Sequence, residues 1–266
     1  MIFKETSSVV SNNKIAKGIY QTILYAPDIS AYSHPGQFVN ILPSYNWKNV
    51  MRRPMSIASQ GNDEISIIYK PIGEGTRIMT NWKEGSQVDL IGPLGNYWSN
   101  YDSGYPILIG GGVGIAPILN LHTQLGKKHI QHILIMGAKN AQEHFLQHDP
   151  INHTYISTDD GSVGINGNVV DALKVIFPDG DYPANGKIFS CGPPMMMESV
   201  RKFALEHNLC CNLALETIMA CGIGICQGCA VERKIDNIAD YSYRTHYALA
   251  CIDGPIFTAE EIVSCL

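Results

Sequence analysis

Pro106-Ile107-Leu108-Ile109-Gly110-Gly111-Gly112-Val113-Gly114-Ile115-Ala116-Pro117 is an apolar run that breaks into glycines and restarts as a helix-compatible segment. A buried parallel strand reads as such a continuous apolar run, and residues without a Cβ let the turn after it close tightly. Glycines in this position let backbone approach a pyrophosphate or a ring. The match to Gly-x-Gly-x-x-Gly is incomplete, however, and a plain strand-to-helix turn remains the alternative. From here the chain alternates strand and helix: 107–109 then 115–125, 130–136 then 141–147, 155–157 then 169–176, 187–190 then 194–207, and finally 213–215. That rhythm predicts a doubly wound parallel sheet.

Upstream the pattern differs. Short runs at 19–24, 37–42, 55–59, 65–69 and 87–91 are separated by Gly, Pro and Asn, which predicts an antiparallel β-barrel. Ser, Asn, Asp and Gly gather at 100–104, so the first boundary is expected there. The expected units are a barrel at 1–102, a parallel-sheet α/β domain at 103–212 and a Cys- and Gly-rich subdomain at 213–266. The last is too short to bury its own core and must lean on a metal or on neighbours.

The 266 residues carry 19 basic and 24 acidic side chains, net −5, and no basic run exceeds a pair, which argues against a nucleic-acid partner. With 45% hydrophobic residues the chain can bury sizeable cores. The most apolar long stretch, 106–121, is interrupted by glycines and Pro117, so no membrane span is expected, and residues 1–18 lack the apolar core of a signal peptide. Eight cysteines without such a signal read as thiols of a reducing cytoplasm.

Four of those cysteines, Cys221, Cys226, Cys229 and Cys251, stand as Cys-x4-Cys-x2-Cys with a fourth after 21 intervening residues. This is the ligand rhythm of a plant-type [2Fe-2S] cluster. Gly222, Gly224 and Gly228 surround the first three, suiting a loop whose N–H groups curl around sulfur. A zinc knuckle is the competing reading, though zinc sites usually carry two close Cys-x2-Cys pairs. Of the others, Cys210, Cys211 and Cys265 read as small buried or incidental residues.

Arg52-Arg53-Pro54-Met55-Ser56 enters an expected strand with a guanidinium fork suited to a pyrophosphate and a hydroxyl three residues on. Tyr69-Lys70 and Gly73-Glu74-Gly75-Thr76 follow, leading to a short helix expected from about Arg77. Taken singly, the arginines fit a solvated edge and the glycines a plain turn. Thr158-Asp159-Asp160-Gly161-Ser162 offers a carboxylate to a ribose hydroxyl or is simply an acidic turn; no Arg or Lys stands beside it in sequence, which favours NAD over NADP. Cys191-Gly192-Pro193-Pro194 ends one strand and starts a helix, and Cys191 alone also reads as a buried small residue.

In order, Arg-x-x-Ser, the Gly-Thr turn and Gly92-Pro93-Leu94-Gly95-Asn96 resemble the flavin half of the ferredoxin reductase family. With the cysteine motif added, the whole chain is similar to the electron transfer subunits of class 1B dihydroorotate dehydrogenases. That resemblance implies FAD held by Arg53, Pro54, Met55, Ser56, Ile68, Tyr69, Lys70, Gly75 and Thr76. It implies nicotinamide beside Gly112, Gly114, Cys191, Gly192 and Pro193, and a [2Fe-2S] cluster on the four cysteines. It further implies a heterotetramer with an FMN-containing catalytic subunit, from which electrons pass through the cluster and FAD to NAD+ in pyrimidine biosynthesis. Related NAD(P)H-ferredoxin oxidoreductase or sulfide dehydrogenase subunits share the first two halves, and a flavin and iron-sulfur redox sensor is the non-enzymatic alternative.

Overall fold

The computed structural model describes residues 1–45, 51–234 and 242–266. Six strands close an antiparallel barrel: β1 (Phe3–Ala16), β2 (Ile19–Tyr25), β3 (Phe38–Leu42), β4 (Arg53–Gly61), β5 (Glu64–Tyr69) and β6 (Gln87–Leu94). Their order is β1-β2-β5-β4-β3-β6, with β6 pairing back to β1. Helix α1 (Pro27–Tyr32) packs at one end, and α2 (Glu74–Met79) follows β5. Period-two alternation sends Leu24, Val39, Ile41, Ile57, Ile65, Ile67, Val88 and Leu90 into one core. The sequence does not announce β1. Only Ser7 and Val9 of its 14 residues are buried, so a mostly polar strand is held by backbone pairing to β2 and β6. Helix α2 also starts earlier than expected, at Glu74, where the Thr76 hydroxyl accepts from Gly73 N–H and donates to Gly73 C=O, each at 3.1 Å.

The second sheet begins with β7 (Tyr105–Gly111) and α3 (Ile115–Lys127). It continues through β8 (Ile133–Ala138), β9 (Thr154–Thr158), β10 (Ile165–Asn166), α4 (Val169–Ile176), β11 (Gly186–Cys191), α5 (Pro194–Glu206) and β12 (Cys210–Ala214). The strands run parallel in the order β10-β9-β8-β7-β11-β12, so the winding direction reverses between β7 and β11. Open α/β sheets bind ligands outside the strand C-termini at such a reversal. The helix expected over 141–147 is absent. Ala141–Glu143 makes one 3-10 turn, and His144 is extended. Tertiary contact decides this: Lys17 N–H donates to Gln142 C=O at 2.9 Å, and Phe145 and Leu146 pack against sheet cores.

The C-terminal segment leaves the sheet after β12 and forms the small antiparallel pair β13 (Ala230–Glu232) and β14 (Tyr247–Leu249), with the single turn α6 (Tyr243–His246) before β14. It then returns as β15 (Ile256–Thr258), antiparallel to β12. The boundary expected at 212 therefore falls inside a strand. Cys229, Val231, Ala248, Ala250, Cys251, Phe257 and Ile262 join one continuous core with Phe38 and Leu94 of the barrel and Ile107, Ile188 and Leu213 of the sheet. The segment does lean on its neighbours, as its length requires.

Candidate functional site

Two adjoining cavities open at the C-terminal ends of the parallel strands. The smaller, of about 300 Å³, is lined by Arg53, Pro54, Met55, Ser56, Ile68, Tyr69, Lys70, Thr76, Gly114 and Cys191, so it gathers most of the expected flavin residues. The larger, of about 440 Å³, is lined by Lys70, Gly111, Gly112, Lys139, Glu143, Asp159, Pro193 and Met196 among others. Lys70 belongs to both.

Strand β4 brings Arg53 through Ser56 to the wall of the smaller cavity, and a Cβ on Gly75 would stand 2.9 Å from Arg53 Nε. Gly75 thus provides the space in which the guanidinium lies against the start of α2. Arg52 takes a different role: its guanidinium pairs with the Asp89 carboxylate and donates to Asn40 C=O at 3.1 Å. The Tyr69 ring lies in the barrel core, and its hydroxyl donates to Asn12 Oδ1 at 3.2 Å, so Tyr69 offers the cavity backbone rather than its ring.

On the opposite wall, β7 and β11 are paired with Gly110 beside Cys191. A Cβ on Gly114 would meet Gly192 Cα at 2.5 Å, and one on Gly192 would meet Met196 Cε at 2.4 Å. The two glycine signatures are therefore packed backbone to backbone, a spacing no larger residue allows. Burial, reinforced by the charge of Glu216, pushes the Cys191 thiol up to about 12, which keeps it neutral. Glu216, two residues beyond β12, lines the smaller cavity beside Cys191. Sequence reading missed it, although a carboxylate just past the end of a parallel strand is the available signal.

At the outer end, Asp159 lines the larger cavity, whereas Asp160 is occupied in its turn by Ser162 Oγ at 2.6 Å. The sequence shows no cation beside this pair, but the fold brings Lys139 into the same cavity, with its carbonyl accepting from Asp160 N–H at 3.3 Å. Glu143 is likewise invisible in sequence, because the 3-10 turn that carries it reads as helix.

The four cysteines fall into two pairs. Cys221 Sγ and Cys226 Sγ are 3.3 Å apart, and the Cys251 thiol neighbours that of Cys229. Backbone N–H groups already aim at these sulfurs: Cys226 N–H at Cys221 Sγ, 3.4 Å, and Gly224 N–H at Cys251 Sγ, 3.2 Å. Gly222 and Gly224 have φ of 72° and 81°, as the curled loop demands. Burial opposes ionisation of Cys221, but the N–H groups of Cys226, Ile223 and Ile225 outweigh it and bring the thiol down to about 6. Burial and the neighbouring Cys229 raise Cys251 to about 12. Among the described residues no three His, Cys, Asp or Glu side chains converge on a single ion position. Two thiol pairs with N–H donors to sulfur fit a dinuclear iron-sulfur cluster, two ligands to each iron, better than one tetrahedral zinc.

Residues 216–263 match the iron-sulfur cluster binding domain of dihydroorotate dehydrogenase B, and 108–202 match the oxidoreductase NAD-binding domain. Over 265 residues the chain is 34% identical to the dihydroorotate dehydrogenase B (NAD(+)) electron transfer subunit of Fusobacterium nucleatum, covering 97% of this chain and 98% of that one. The chain belongs to the dihydroorotate dehydrogenase B electron transfer subunit family. The Bacillus velezensis subunit of this family is 33% identical, with 96% and 97% covered. Among solved structures, an NADH-dependent reduced ferredoxin-NADP oxidoreductase superposes with a TM-score of 0.83 at 27% identity, covering 97% of this chain and 90% of that one. A ferredoxin NADP+ reductase from Neisseria gonorrhoeae with bound FAD and NADP shares the fold, with a TM-score of 0.63 at 15% identity, covering 77% of this chain and 91% of that one. The family's function is electron transfer to NAD+ in pyrimidine biosynthesis, and its cofactors are FAD, a [2Fe-2S] cluster and NAD. Among the described residues no helix is long and apolar enough to cross a membrane.

Proposed function

We propose that this chain accepts electrons from an FMN-containing dihydroorotate dehydrogenase catalytic subunit at the Cys221, Cys226, Cys229 and Cys251 site and delivers them as hydride to NAD+. The observation that carries the reading is the junction of the two cavities at Lys70, with Gly114 and Cys191 lining the smaller and Gly112 and Pro193 the larger. A nicotinamide ring entering from the larger cavity would meet a flavin ring in the smaller one there. Residues 1–102, 103–212 and 213–266 would carry the flavin, nicotinamide and cluster functions in turn, with β12 and β15 as the seam between the last two.

In this reading the Arg53 fork holds the FAD pyrophosphate, and Pro54, Met55, Ser56, Ile68, Tyr69, Lys70, Gly75 and Thr76 shape the flavin wall. Ser56 offers a hydroxyl at the ring edge. Gly112, Gly114, Cys191, Gly192 and Pro193 bound the nicotinamide, with the neutral Cys191 thiol excluding water between the rings. Asp159 accepts from a ribose hydroxyl. FAD, when bound, supplies the conversion between single electrons and a hydride pair, because nicotinamide accepts only pairs. Overall, dihydroorotate loses two electrons and two protons; both electrons and one proton leave on NADH, and the other proton goes to solvent.

Exposed Ile218, Ile223, Ile225 and Ile252 flank the cluster loop, so the catalytic subunit would dock on this face, in a heterotetramer of two chains of each kind. Free cysteines accord with a cytoplasmic setting. Purified protein should contain one FAD, two irons and two labile sulfides per chain. A colourless protein with stoichiometric zinc would contradict the assignment.

A further inference from the structure

We propose that Asn40 is the residue that fixes the cluster loop against the flavin wall, and so sets the separation across which electrons pass. This rests on reading Cys221 as a cluster ligand.

Strand β3 is buried on both faces. Val39 and Ile41 point into the barrel core, while Phe38 joins the core shared with Cys229 and Cys251. Asn40 lies on the Phe38 face and is fully buried. Its Nδ2 donates to Cys221 C=O at 3.0 Å, whereas its Oδ1 has no partner among the described residues. Burying an unpaired carbonyl is costly, and an apolar residue of equal volume would avoid that cost. Packing alone therefore does not account for asparagine here; the donor does.

Loop and strand are fitted to each other. A Cβ on Gly222 would stand 2.8 Å from Asn40 Nδ2 and 3.2 Å from Leu94 Cδ1, so the loop rests directly on the amide. The backbone of Asn40 is held from the other side: its carbonyl accepts from Arg52 Nη1 at 3.1 Å, and Asp89 pins that guanidinium. Across the β3–β4 ladder, Asn40 is paired with Pro54, which lines the flavin cavity. One side chain thus joins the carbonyl of a thiol ligand to the strand that forms the flavin wall. Asn40 is a positioning residue, touching neither cofactor in this reading.

The test uses the full-length holoprotein. NADH gives its hydride, two electrons and a proton, to the flavin; one electron then crosses to the cluster. Stopped-flow absorbance follows flavin bleaching and cluster bleaching as separate phases. Asn40→Leu, which keeps volume and removes the donor, should retain iron, sulfide and FAD and leave flavin bleaching unchanged. It should slow cluster bleaching by about tenfold or more, the scale on which small misplacements act, and shift the g-values of the reduced cluster in electron paramagnetic resonance. Asn40→Ala, which also removes the donor and adds no bulk, should separate the two phases in the same way and decides the matter if Asn40→Leu does not fold. Unchanged cluster bleaching and unchanged g-values in whichever of these variants folds would overturn the proposal. Absence of iron and sulfide from the wild-type protein would instead overturn the reading of Cys221.

Discussion

Lys70 and Glu143 form an ion pair at 2.9 Å across the cleft between the barrel and the parallel sheet. Lys70 directly follows β5 on one side, Glu143 sits in the 3-10 turn after β8 on the other, and both line the larger cavity. Beside them Lys17 Nζ donates to Gln142 Oε1 at 2.7 Å, and with the Lys17 N–H bond to Gln142 C=O the same turn is fastened to the barrel three times. The Lys70 ammonium at the junction of the cavities faces Glu143, and under the proposed function it would exchange that carboxylate for a dinucleotide phosphate. Lys70→Ala should raise the KM for NADH about tenfold or more, the worth of one charge-assisted hydrogen bond, with smaller loss in kcat. Glu143→Gln should lower the KM by freeing the lysine. Steady-state diaphorase kinetics check both, and an unchanged KM in Lys70→Ala would remove Lys70 from the dinucleotide site.

Gly114→Ala should cripple hydride transfer while FAD stays bound. The added methyl would meet Gly192 backbone at 2.5 Å, and backbone cannot step aside as a side-chain tip does. Overpacking of this kind costs about 1–3 kcal/mol, so NADH-driven dye reduction should fall about tenfold or more. Flavin content is measured alongside. Wild-type activity in this variant would place the nicotinamide elsewhere.

The parts legible in the sequence are those with local causes. Apolar runs ending in glycine gave β7 and β11, and cysteine spacing alone singled out Cys221, Cys226, Cys229 and Cys251, which the fold brings near one another. Missed features depend on distant partners. Strand β1 has almost no inward apolar pattern and exists because β2 and β6 flank it. The turn at Ala141–Glu143 reads as helix because Lys17 and Lys70 lie far from it in sequence. Lys139 enters the site of Asp159 only through the β8–β9 pairing. Gly92-Pro93-Leu94-Gly95-Asn96, which resembles part of a flavin half, is also bonded to the segment after Cys251: Asn96 N–H donates to Gly254 C=O at 2.6 Å, and its amide donates to Asp253 and Ile256 carbonyls.

Glu198 and Arg201 form a buried bidentate pair on α5, and Cys265 N–H also donates to Glu198, at 3.1 Å. The Arg201 hydrogen bonds pull the Glu198 carboxyl from 4.5 down to about 2 despite burial. A depressed carboxyl contributes stability that is complete above pH 4.5 and lost as pH falls through about 2. Glu198→Gln should therefore destabilise the protein by about 3 kcal/mol at neutral pH by leaving Arg201 unpaired. The gap to wild type should narrow steadily below pH 4.5, as measured by denaturant unfolding across that range. A gap independent of pH would show that the pair is not the cause.

Cys226→Ser should abolish iron-sulfur content and electron exchange with the catalytic subunit, while NADH-driven reduction of a flavin-accepting dye continues near the wild-type rate. Under the proposed function Cys221 and Cys226 hold one iron between them, and a serine oxygen is a poorer ligand than the thiolate it replaces. Iron and sulfide analysis with parallel dye assays checks this. Survival of the cluster would take Cys226 out of the ligand set.

Mixing this holoprotein with an FMN-containing dihydroorotate dehydrogenase catalytic subunit and following NADH formation from dihydroorotate and NAD+ tests the central claim most directly. The account predicts NADH appearing in equal amount to orotate, only when both chains are present and only with Cys221, Cys226, Cys229 and Cys251 intact. Orotate formation without NADH, from a mixture in which this chain is fully loaded with FAD and iron-sulfur cluster, would contradict it.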